Sequence, residues 1–371
     1  MKFIKYLSII LLVIALIFTT FLVYNSQNNS NNNNNLNTEN NIKTEEKINN
    51  NITDENITEN SNKNNEKVTD YSVSKNGWLC VNSTEIQNEK GQNIQLKGLS
   101  SHGIQWFPEV ITYNNLKQLK EDWKINVFRI AMYSDAYVAS PASIKQKLIN
   151  TVNDCINLDM YVIIDWHILA DNNPNTYYEQ ANTFFDEISS MYSNNPNVIY
   201  EICNEPNGNN VTWDNEVKPY AEKIIPTIRK NSPKSLIIVG TPDWCKQLKP
   251  VADNPLEFKN IAYSCHFYSG THGNELQDNI DYALNKNICI FVSECGLTDA
   301  SGNGKRYFDE FDSWINYLNS KNISWIFWSF ANKDESSSIL LPNFPTNSNE
   351  GNINNYLSET GKYIKERLQT K

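Results

Sequence analysis

Two glutamates stand where strand-length apolar runs end, and as a pair they would suit the hydrolysis of a glycosidic bond. Glu205 follows Asn204 and closes the run VIYEICNE, while Glu294 lies in the run CIFVSEC. Breaking such a bond requires an acid that protonates the leaving oxygen and a second carboxyl that acts as nucleophile or base. The chain must therefore bring these two distant carboxyls to opposite sides of one bond.

Other strand ends offer groups that would support this pair. Arg129 ends the run NVFRIAM, and an arginine in a buried strand needs a carboxylate partner, for which Glu294 is the natural candidate. His266 and Tyr268 lie two residues apart, on one face of a strand, so the tyrosine hydroxyl can donate to Glu294. His167, after YVIIDW, is a further inward candidate. Asn204 is placed to hydrogen-bond a sugar hydroxyl beside the reacting carbon.

The elements that must position these residues are eight short apolar runs with helix-forming stretches between them. The runs are QLKGLSSH, NVFRIAM, YVIIDWH, VIYEICNE, LIIVGTP, IAYSCHFY, CIFVSEC and WIFWSF. Eight strand–helix units in succession predict an α/β fold of the closed parallel (β/α)8 TIM-barrel type. The carboxyl ends of all eight strands then open on one face. Before the first run, NGWLCVNSTEIQNEKGQNIQ predicts a hairpin that turns at Lys90-Gly91 and caps the bottom of the barrel.

Histidines and tryptophans at the strand ends leave some alternatives open. His102, His167 and His266 fit one polar site shared with the glutamates, and a three-histidine zinc site is the rival interpretation. We expect no metal, because the glutamate pair already explains the cluster. Trp106 and Trp328 end neighbouring strands, where indoles can stack on sugar rings, although either can also fill the core. Trp244 and Trp213 are further candidates, and for Trp213 packing within its loop is the better interpretation.

The first 70 residues differ in composition from the rest. Residues 1–24 place two lysines before an apolar stretch, which predicts a signal peptide or an uncleaved membrane anchor, and the anchor is preferred because no small-residue cleavage site follows. Residues 25–70 are rich in asparagine and predict a disordered linker. Residues 71–371 remain for one catalytic domain. We therefore expect an extracellular or cell-surface protein.

Charge and cysteine content exclude several classes of function. The net charge is −10 and no basic stripe occurs, which argues against a nucleic-acid partner. The seven cysteines contain no CxxC spacing, so neither a zinc site nor a disulfide framework is indicated. We expect a monomer without cofactor, attached to a membrane only through its first residues.

Seven motifs together resemble glycoside hydrolase family 5 cellulases, the endo-β-1,4-glucanases, and among these the Bacillus and Clostridium type. They are LKGLSSHGIQWF, NVFRIAMY, YVIIDWHILADNNPN, VIYEICNEPNG, HFYSGTHG, IFVSECG and WSFANKDESSSIL, and the resemblance runs from about Trp78 to about Leu368. It implies that Glu205 is the acid/base and Glu294 the nucleophile of a retaining double displacement. It also implies two supporting sets: Arg129, His167, Asn204, His266 and Tyr268 around the reacting groups, and His102, Trp106, Tyr133, Trp328, Lys333, Glu335 and Ala300 along the sugar-binding cleft.

Two points qualify this resemblance. The family usually has tryptophan directly after the nucleophile, whereas this chain has Cys295, and the smaller side chain would leave a gap near Glu294. The substrate is also open: the same fold acts on β-mannan, xyloglucan or mixed-linkage glucan. A surface carbohydrate-binding protein without catalysis is the alternative from another class, against which the intact glutamate pair argues.

Overall fold

The computed structural model describes residues 68–346 and 351–369, which all belong to one unit of the chain, Glu59–Lys371. The predicted membrane segment and nearly all of the predicted linker lie outside these residues. Within the described ranges, no helix combines the length and the apolar character needed to cross a bilayer.

Eight parallel strands form a closed barrel, as the eight apolar runs predict. A hairpin of two strands precedes them, β1 (Cys80–Asn82) and β2 (Glu85–Gln87). The barrel strands are β3 (Lys97–Ser101), β4 (Val127–Tyr133), β5 (Tyr161–His167), β6 (Val198–Glu201), β7 (Ile237–Val239), β8 (Ile261–Tyr268), β9 (Ile290–Gly296) and β10 (Trp325–Phe330). Each strand pairs with its neighbour in sequence, and β10 pairs with β3 to close the ring.

Helices surround the barrel and follow the predicted stretches closely. They are α1 (Val73–Asn76), α2 (Tyr113–Trp123), α3 (Ser134–Ala139), α4 (Pro141–Asn157), α5 (Tyr178–Met191), α6 (Lys218–Asn231), α7 (Pro242–Cys245), α8 (Leu248–Asp253), α9 (Asn274–Asn285), α10 (Phe308–Ser320) and α11 (Glu359–Gln369). Short 3-10 turns cover Pro108–Val110 and Ile353–Tyr356, and a π-helical turn covers Trp213–Val217. Apolar faces of these helices pack on the outward side chains of the strands in one large core cluster.

Alternation along β5 shows why the active groups gather at one end. Tyr161 and Ile163 face the barrel interior and belong to a second, smaller apolar cluster at the strand starts. Asp165 and His167 continue on the same face, two and four residues later, because successive strand side chains alternate between faces. The inward face is therefore apolar at the bottom of the barrel and polar at the top.

The predicted hairpin that turns at Lys90-Gly91 is present at the bottom of the barrel: Gln87 and Asn93 form an antiparallel bridge across it, and the N–H of Ile94 donates to the carbonyl of Ile86. A hairpin that was not predicted precedes it. β1 and β2 pair directly around Ser83-Thr84, and Ser83 takes the left-handed conformation with a φ of 57°. Lys90-Gly91 forms a second turn, which the side chain of Asn88 stabilises by accepting hydrogen bonds from two backbone N–H groups. Sequence reasoning found the turn at Lys90-Gly91 because glycine marks turns, and it missed the turn at Ser83-Thr84 because a serine in the left-handed conformation gives no such signal.

Strand β9 contains a β-bulge that decides which of its residues reach the interior. Phe291 on β9 pairs with Ser264 on β8, and Glu294 pairs with His266. Three residues along β9 therefore correspond to only two residues along β8. The pairing with β10 shows the same extra residue. A bulge re-aims side chains locally, and as a result Ser293 and Glu294 both contact the polar interior even though they are adjacent.

Candidate active site

The carboxyl ends of the strands surround one cleft of about 760 Å³. Of the fourteen predicted site residues, all except Arg129 and Asn204 line it. The lining residues from that set are His102, Trp106, Tyr133, His167, Glu205, His266, Tyr268, Glu294, Ala300, Trp328, Lys333 and Glu335. Arg129 and Asn204 are fully buried directly beneath and contact the lining groups.

Glu294 is held by two hydrogen-bond donors. Tyr268 donates its hydroxyl to Oε1 over 2.7 Å, and Arg129 donates Nη1–H to Oε2 over 3.1 Å. Both contacts were predicted from the positions of these residues at strand ends. Each oxygen of the carboxyl therefore accepts from a fixed group, which orients it towards the cleft and suits a carboxylate, since a carboxylate only accepts.

The buried Arg129 serves three carboxyls rather than the single partner expected. Its Nε donates to Glu201 over 2.7 Å, and Nη2 lies 3.0 Å from Asp165, in addition to the contact with Glu294. Nη2 also donates to Oδ1 of Asn204 over 2.6 Å. Burial opposes the charge of Arg129, but the three carboxyls raise its pKa, so the guanidinium stays a fixed cation under the cleft floor.

Glu205 occupies a different environment from Glu294. Its Oε1 lies 2.8 Å from Nδ1 of His266, and among the described residues no lysine or arginine forms an ion pair with it. Burial raises the pKa of Glu205 to about 7, against the opposing influence of Arg129. One oxygen each of Glu205 and Glu294, and one ring nitrogen of His266, all lie within 4.8 Å of one another. The two carboxyls thus face each other across a gap the size of one glycosidic bond.

Asn204 and His167 brace the floor between the two glutamates. His167 Nδ1 lies 2.6 Å from Oδ2 of Asp165, and its Nε2 lies 3.3 Å from the amide nitrogen of Asn204. That amide also donates to the carbonyl of Ile168 over 3.0 Å. Burial lowers the pKa of His167 and keeps its ring neutral. All polar atoms of the Asn204 side chain are thus engaged within the protein, on a residue with no exposed surface.

The three histidines share the cleft without forming a common set of metal ligands. In the described part of the chain, the one group of three or more potential ligand residues within reach of each other contains His266 with the two glutamates. His102 instead lies near Lys333 and Glu335, and His167 is bonded to Asp165. The arrangement matches the shared polar site rather than the three-histidine alternative.

Aromatic side chains cover one arm of the cleft. Trp328 lies beside His167, with ring centroids 5.4 Å apart and an interplanar angle of 18°. Tyr133 contacts both His167 and Trp106. Trp106 is 54% exposed, which is a large exposed fraction for a tryptophan side chain. An exposed indole above a polar cleft offers a flat apolar face. Lys333 and Glu335, paired at 2.5 Å, reach the same arm, and Ala300 lies at its edge.

Trp244 extends the cleft on the opposite arm, as its position after β7 predicts. It lies in α7, a single left-handed turn in which Asp243, Trp244 and Cys245 all have positive φ of 57°, 53° and 61°. Cys245 ties this turn to the site, because its thiol donates to the carbonyl of Asn204 over 3.0 Å. Trp244 remains 44% exposed, whereas Trp213 is buried, in agreement with the packing interpretation.

Three functional candidates escaped the sequence reasoning: Asp165, Glu201 and Ser293. All are fully buried and bonded to predicted site residues. A signal for the two acids was present, because a carboxylate inside an apolar strand, on the inward phase, requires a buried partner. Ser293 gave no such signal, since without the β9 bulge it would not share a face with Glu294.

Comparison with known proteins identifies a family and relatives with high sequence identity to this chain. The family model described as "Cellulase (glycosyl hydrolase family 5)" matches residues 87–334, more than half of the chain. An endoglucanase of Clostridium saccharobutylicum is 48% identical over 294 residues, which is 79% of this chain and 65% of that protein. Endoglucanase A of Evansella cellulosilytica is 48% identical over 281 residues, or 75% of this chain and 57% of that protein.

A solved structure extends the similarity to the fold. The catalytic domain of the Thermobifida fusca endoglucanase Cel5A, a variant in complex with cellotetraose, superposes with a TM-score of 0.76 at 32% identity. The match covers 80% of this chain and 99% of that one. The two curated relatives are longer, and the chain spans only 65% and 57% of their lengths.

Proposed function

The chain belongs to the cellulase family, glycosyl hydrolase family 5, and from that premise we propose that it hydrolyses internal β-1,4-glucosidic bonds of cellulose and related β-glucans. The observation that carries the proposal is the carboxyl pair, with one oxygen of Glu205 and one of Glu294 within 4.8 Å. Retaining glycosidases hold their carboxyls about 5–5.5 Å apart, whereas inverting enzymes leave about 6.5–9.5 Å for a water. The spacing therefore favours retention.

In this mechanism Glu294 attacks the anomeric carbon and Glu205 gives its proton to the departing sugar oxygen. The bond to the leaving sugar breaks as the bond to Glu294 forms, and a glycosyl-enzyme results. Glu205, now a carboxylate, then takes a proton from water, whose oxygen displaces Glu294 and restores the starting configuration. The pKa of about 7 suits Glu205 for both tasks, since a group that gives and takes a proton works best near the operating pH.

The shape of the cleft supports a polymeric substrate. In the ring of strands, β10 and β3, which carry Trp328 and precede Trp106, lie on one arc between β6 and β9, and β7, which precedes Trp244, lies on the other. All three tryptophans line the cleft, so sugar units can stack on both sides of the scissile bond. The related Thermobifida fusca domain holds cellotetraose, which supports a β-1,4-linked glucan as the substrate here. Action within a chain rather than at its end follows from having binding surfaces on both arms.

The direct test is an assay of the purified full chain on carboxymethyl-cellulose, with lichenan and mannan for comparison. Activity on the first two supports the proposal, and a preference for mannan would assign the alternative substrate. Glu294→Gln should lower kcat by about a thousandfold or more, because the nucleophile is lost. Glu310→Gln, an exposed glutamate on α10, is the matched control and should keep full activity. A Glu294→Gln protein with more than a tenth of the activity would remove this residue from the mechanism.

We further propose that the protein acts outside the cell as a monomer. A polymer such as cellulose does not enter cells, and the lysines and apolar stretch in residues 1–24 fit an export segment. The two proposed reacting carboxyls and the groups that hold them are supplied by one protomer, so the proposed mechanism requires no second copy. Fractionation of producing cells and N-terminal sequencing of the exported protein test the location, and sedimentation of the purified chain tests the monomer.

A further inference from the structure

The short element α7 holds three successive residues in a backbone conformation that their side chains disfavour. Asp243, Trp244 and Cys245 have φ values of 57°, 53° and 61°, in the left-handed region that glycine adopts readily. None of the three is glycine, so contacts with the rest of the protein must hold this turn. Trp244, the middle residue, lines the cleft. The contacts that hold α7 therefore decide where this indole lies.

These contacts reach the backbone on both sides of Glu205. The thiol of Cys245 donates to the carbonyl of Asn204 over 3.0 Å, on one side of the glutamate. On the other side, the N–H of Trp244 donates to the carbonyl of Pro206 over 3.2 Å. The exposed indole and the proposed acid/base are thus fixed to the same short piece of backbone.

A glycine after β7 allows the two pieces of chain to come this close. A Cβ at Gly240 would collide with the carbonyl oxygens of Cys203 and Asn204, so no larger residue fits there. The next residue, Thr241, donates its N–H to the thiol of Cys245 over 3.4 Å. The thiol therefore accepts from the start of the turn and donates to the chain after β6, and it joins the two.

The surroundings of Cys245 keep it in the form that can donate. The side chain is fully buried, and burial together with the nearby Glu205 raises the pKa of the Cys245 thiol. A thiolate would have no proton for the carbonyl of Asn204. The hydrogen bond that ties α7 to this carbonyl is therefore present at neutral pH.

We propose that Cys245 is a positioning residue: by tying α7 to the carbonyl of Asn204, it holds Trp244 where the departing sugar units stack, and it thereby sets their affinity. Because Glu205 gives its proton to the departing oxygen, an indole fixed beside Glu205 serves the departing side of the substrate. The inference rests on the proposed function for the identity of the ligand. The placement of Trp244 by the thiol is a property of the protein alone.

The first measurement compares two substrates of the full chain. Cys245→Ala should raise KM for cellopentaose by about five- to tenfold with kcat nearly unchanged, because stacking contributes binding rather than chemistry. The kcat/KM for β-cellobiosyl fluoride should stay the same, since its leaving group is a single ion that does not reach the indole. An unchanged KM for cellopentaose, or an equal loss on both substrates, overturns the proposal.

Two further substitutions separate the hydrogen bond from packing and from folding. Cys245→Ser places a hydroxyl donor in nearly the same position and should restore the wild-type KM for cellopentaose. Cys245→Gly removes the thiol but relieves the left-handed backbone, so it tests the proposal even where alanine prevents folding. It should raise KM as Cys245→Ala does. A wild-type KM in the glycine variant would contradict the role of the thiol.

A double-mutant cycle shows whether Cys245 acts through the indole. Trp244→Ala should raise KM for cellopentaose by itself, and the addition of Cys245→Ala should then change it by less than about twofold. If the two effects multiply instead, Cys245 acts on the cleft by another route and the proposal is wrong. Cys155→Ala, on α4, also removes a fully buried thiol and is the matched control, which should leave the constants for both substrates unchanged.

A measurement without substrate distinguishes this inference from the proposed function. The full chain is labelled with 5-fluorotryptophan at its nine tryptophans, and the fluorine signal of Trp244 is identified by its loss in Trp244→Phe. The signal should be the same in the wild type and Cys245→Ser, and shifted or broadened in Cys245→Ala and Cys245→Gly. An identical signal in all four proteins overturns the proposal. The expected shifts in a protein that is inactive on every glucan would defeat the proposed function alone.

Discussion

Two glutamates of the same chemistry receive different roles from their surroundings. Glu294 accepts hydrogen bonds from a buried arginine and a tyrosine. Glu205 instead contacts a neutral histidine, and burial is the main cause of its raised pKa. Arg129 does not favour both equally, because its Nη1–H donates directly to Glu294, whereas it acts on Glu205 only through space. Carboxyls whose environments differ in this way divide naturally into an acid and a nucleophile.

The raised pKa of Glu205 predicts a pH-dependent cost in stability. An unfolded glutamate titrates near 4.5 and the folded one near 7, so the folded state binds the extra proton between these values. Its contribution is fully present below pH 4.5 and is lost as the pH rises through 7, by up to about 3 kcal/mol. Glu205→Gln, which cannot ionise, should therefore raise the melting temperature relative to wild type more at pH 8 than at pH 5. An equal difference at both pH values would contradict the assigned shift.

Retention can be tested at the same residue by chemical rescue. Glu205→Ala lacks the acid/base but keeps Glu294, so an aryl cellobioside with a good leaving group should still form the glycosyl-enzyme. Azide can enter the space left by the side chain and displace Glu294, which gives a β-glycosyl azide after two inversions. Turnover should rise with azide concentration in the variant and stay constant in the wild type. An α-azide product would instead indicate a single inversion.

Strand periodicity explains how much of the site was accessible from the sequence. A regular barrel predicts correctly which residues of β5 face inward. It also predicts that the functional residues of β4, β6, β8 and β10 lie at the carboxyl ends of these strands. The β9 bulge could not be predicted, because pairing with the strands on either side creates it and no residue in FVSEC marks it. The role of Ser293 was missed for this reason. Asp165 and Glu201, the further partners of Arg129, did carry a signal, because each is a carboxylate inside an apolar strand.

The β9 bulge also bears on the prediction that Cys295 leaves a gap near Glu294, which is not what the structure shows. Beyond the bulge Glu294 faces the cleft, and Cys295 lies on the outer face, where Phe267 and Phe327 are its strand neighbours in the core. Trp314 stacks on Phe267 at 4.2 Å in the same layer. The small side chain therefore affects packing between strands and helices, and it leaves no gap beside the reacting carboxyl.

Introducing the family's usual residue should accordingly test stability rather than catalysis. Cys295→Trp forces an indole into the filled layer and should lower the free energy of unfolding by about 1–3 kcal/mol. Activity per folded molecule should change little at 25 °C. Cys80→Trp, at an exposed cysteine, is the matched control and should leave the melting temperature unchanged. A Cys295→Trp protein as stable as wild type would show that the outer layer has room that these contacts do not reveal.

At the level of the whole molecule, the residues that stabilise the barrel interior and the residues that form the active site lie at opposite ends of the barrel. Its lower interior is an apolar cluster that includes Leu79, Ile86 and Ile94 from the segment before β3, and its upper interior is the charged network under the cleft. The segment around the hairpin therefore serves as the floor of the barrel and contributes no residue to the cleft. From this division we can predict which parts of the chain are required for activity.

A variant that begins at Val68 should match the full chain in specific activity on soluble carboxymethyl-cellulose, because every cleft residue and the whole floor are retained. A variant that begins at Gln95 loses Val73, Leu79, Ile86 and Ile94, each at most 4% exposed. At about 1.5–3 kcal/mol for each buried side chain, the loss is comparable to the total stability of an ordinary domain. We expect the first variant to melt with the full chain and the second to be unfolded or to melt far lower. Calorimetry and circular dichroism measure both, and a stable, active protein starting at Gln95 would show that the barrel does not need this floor.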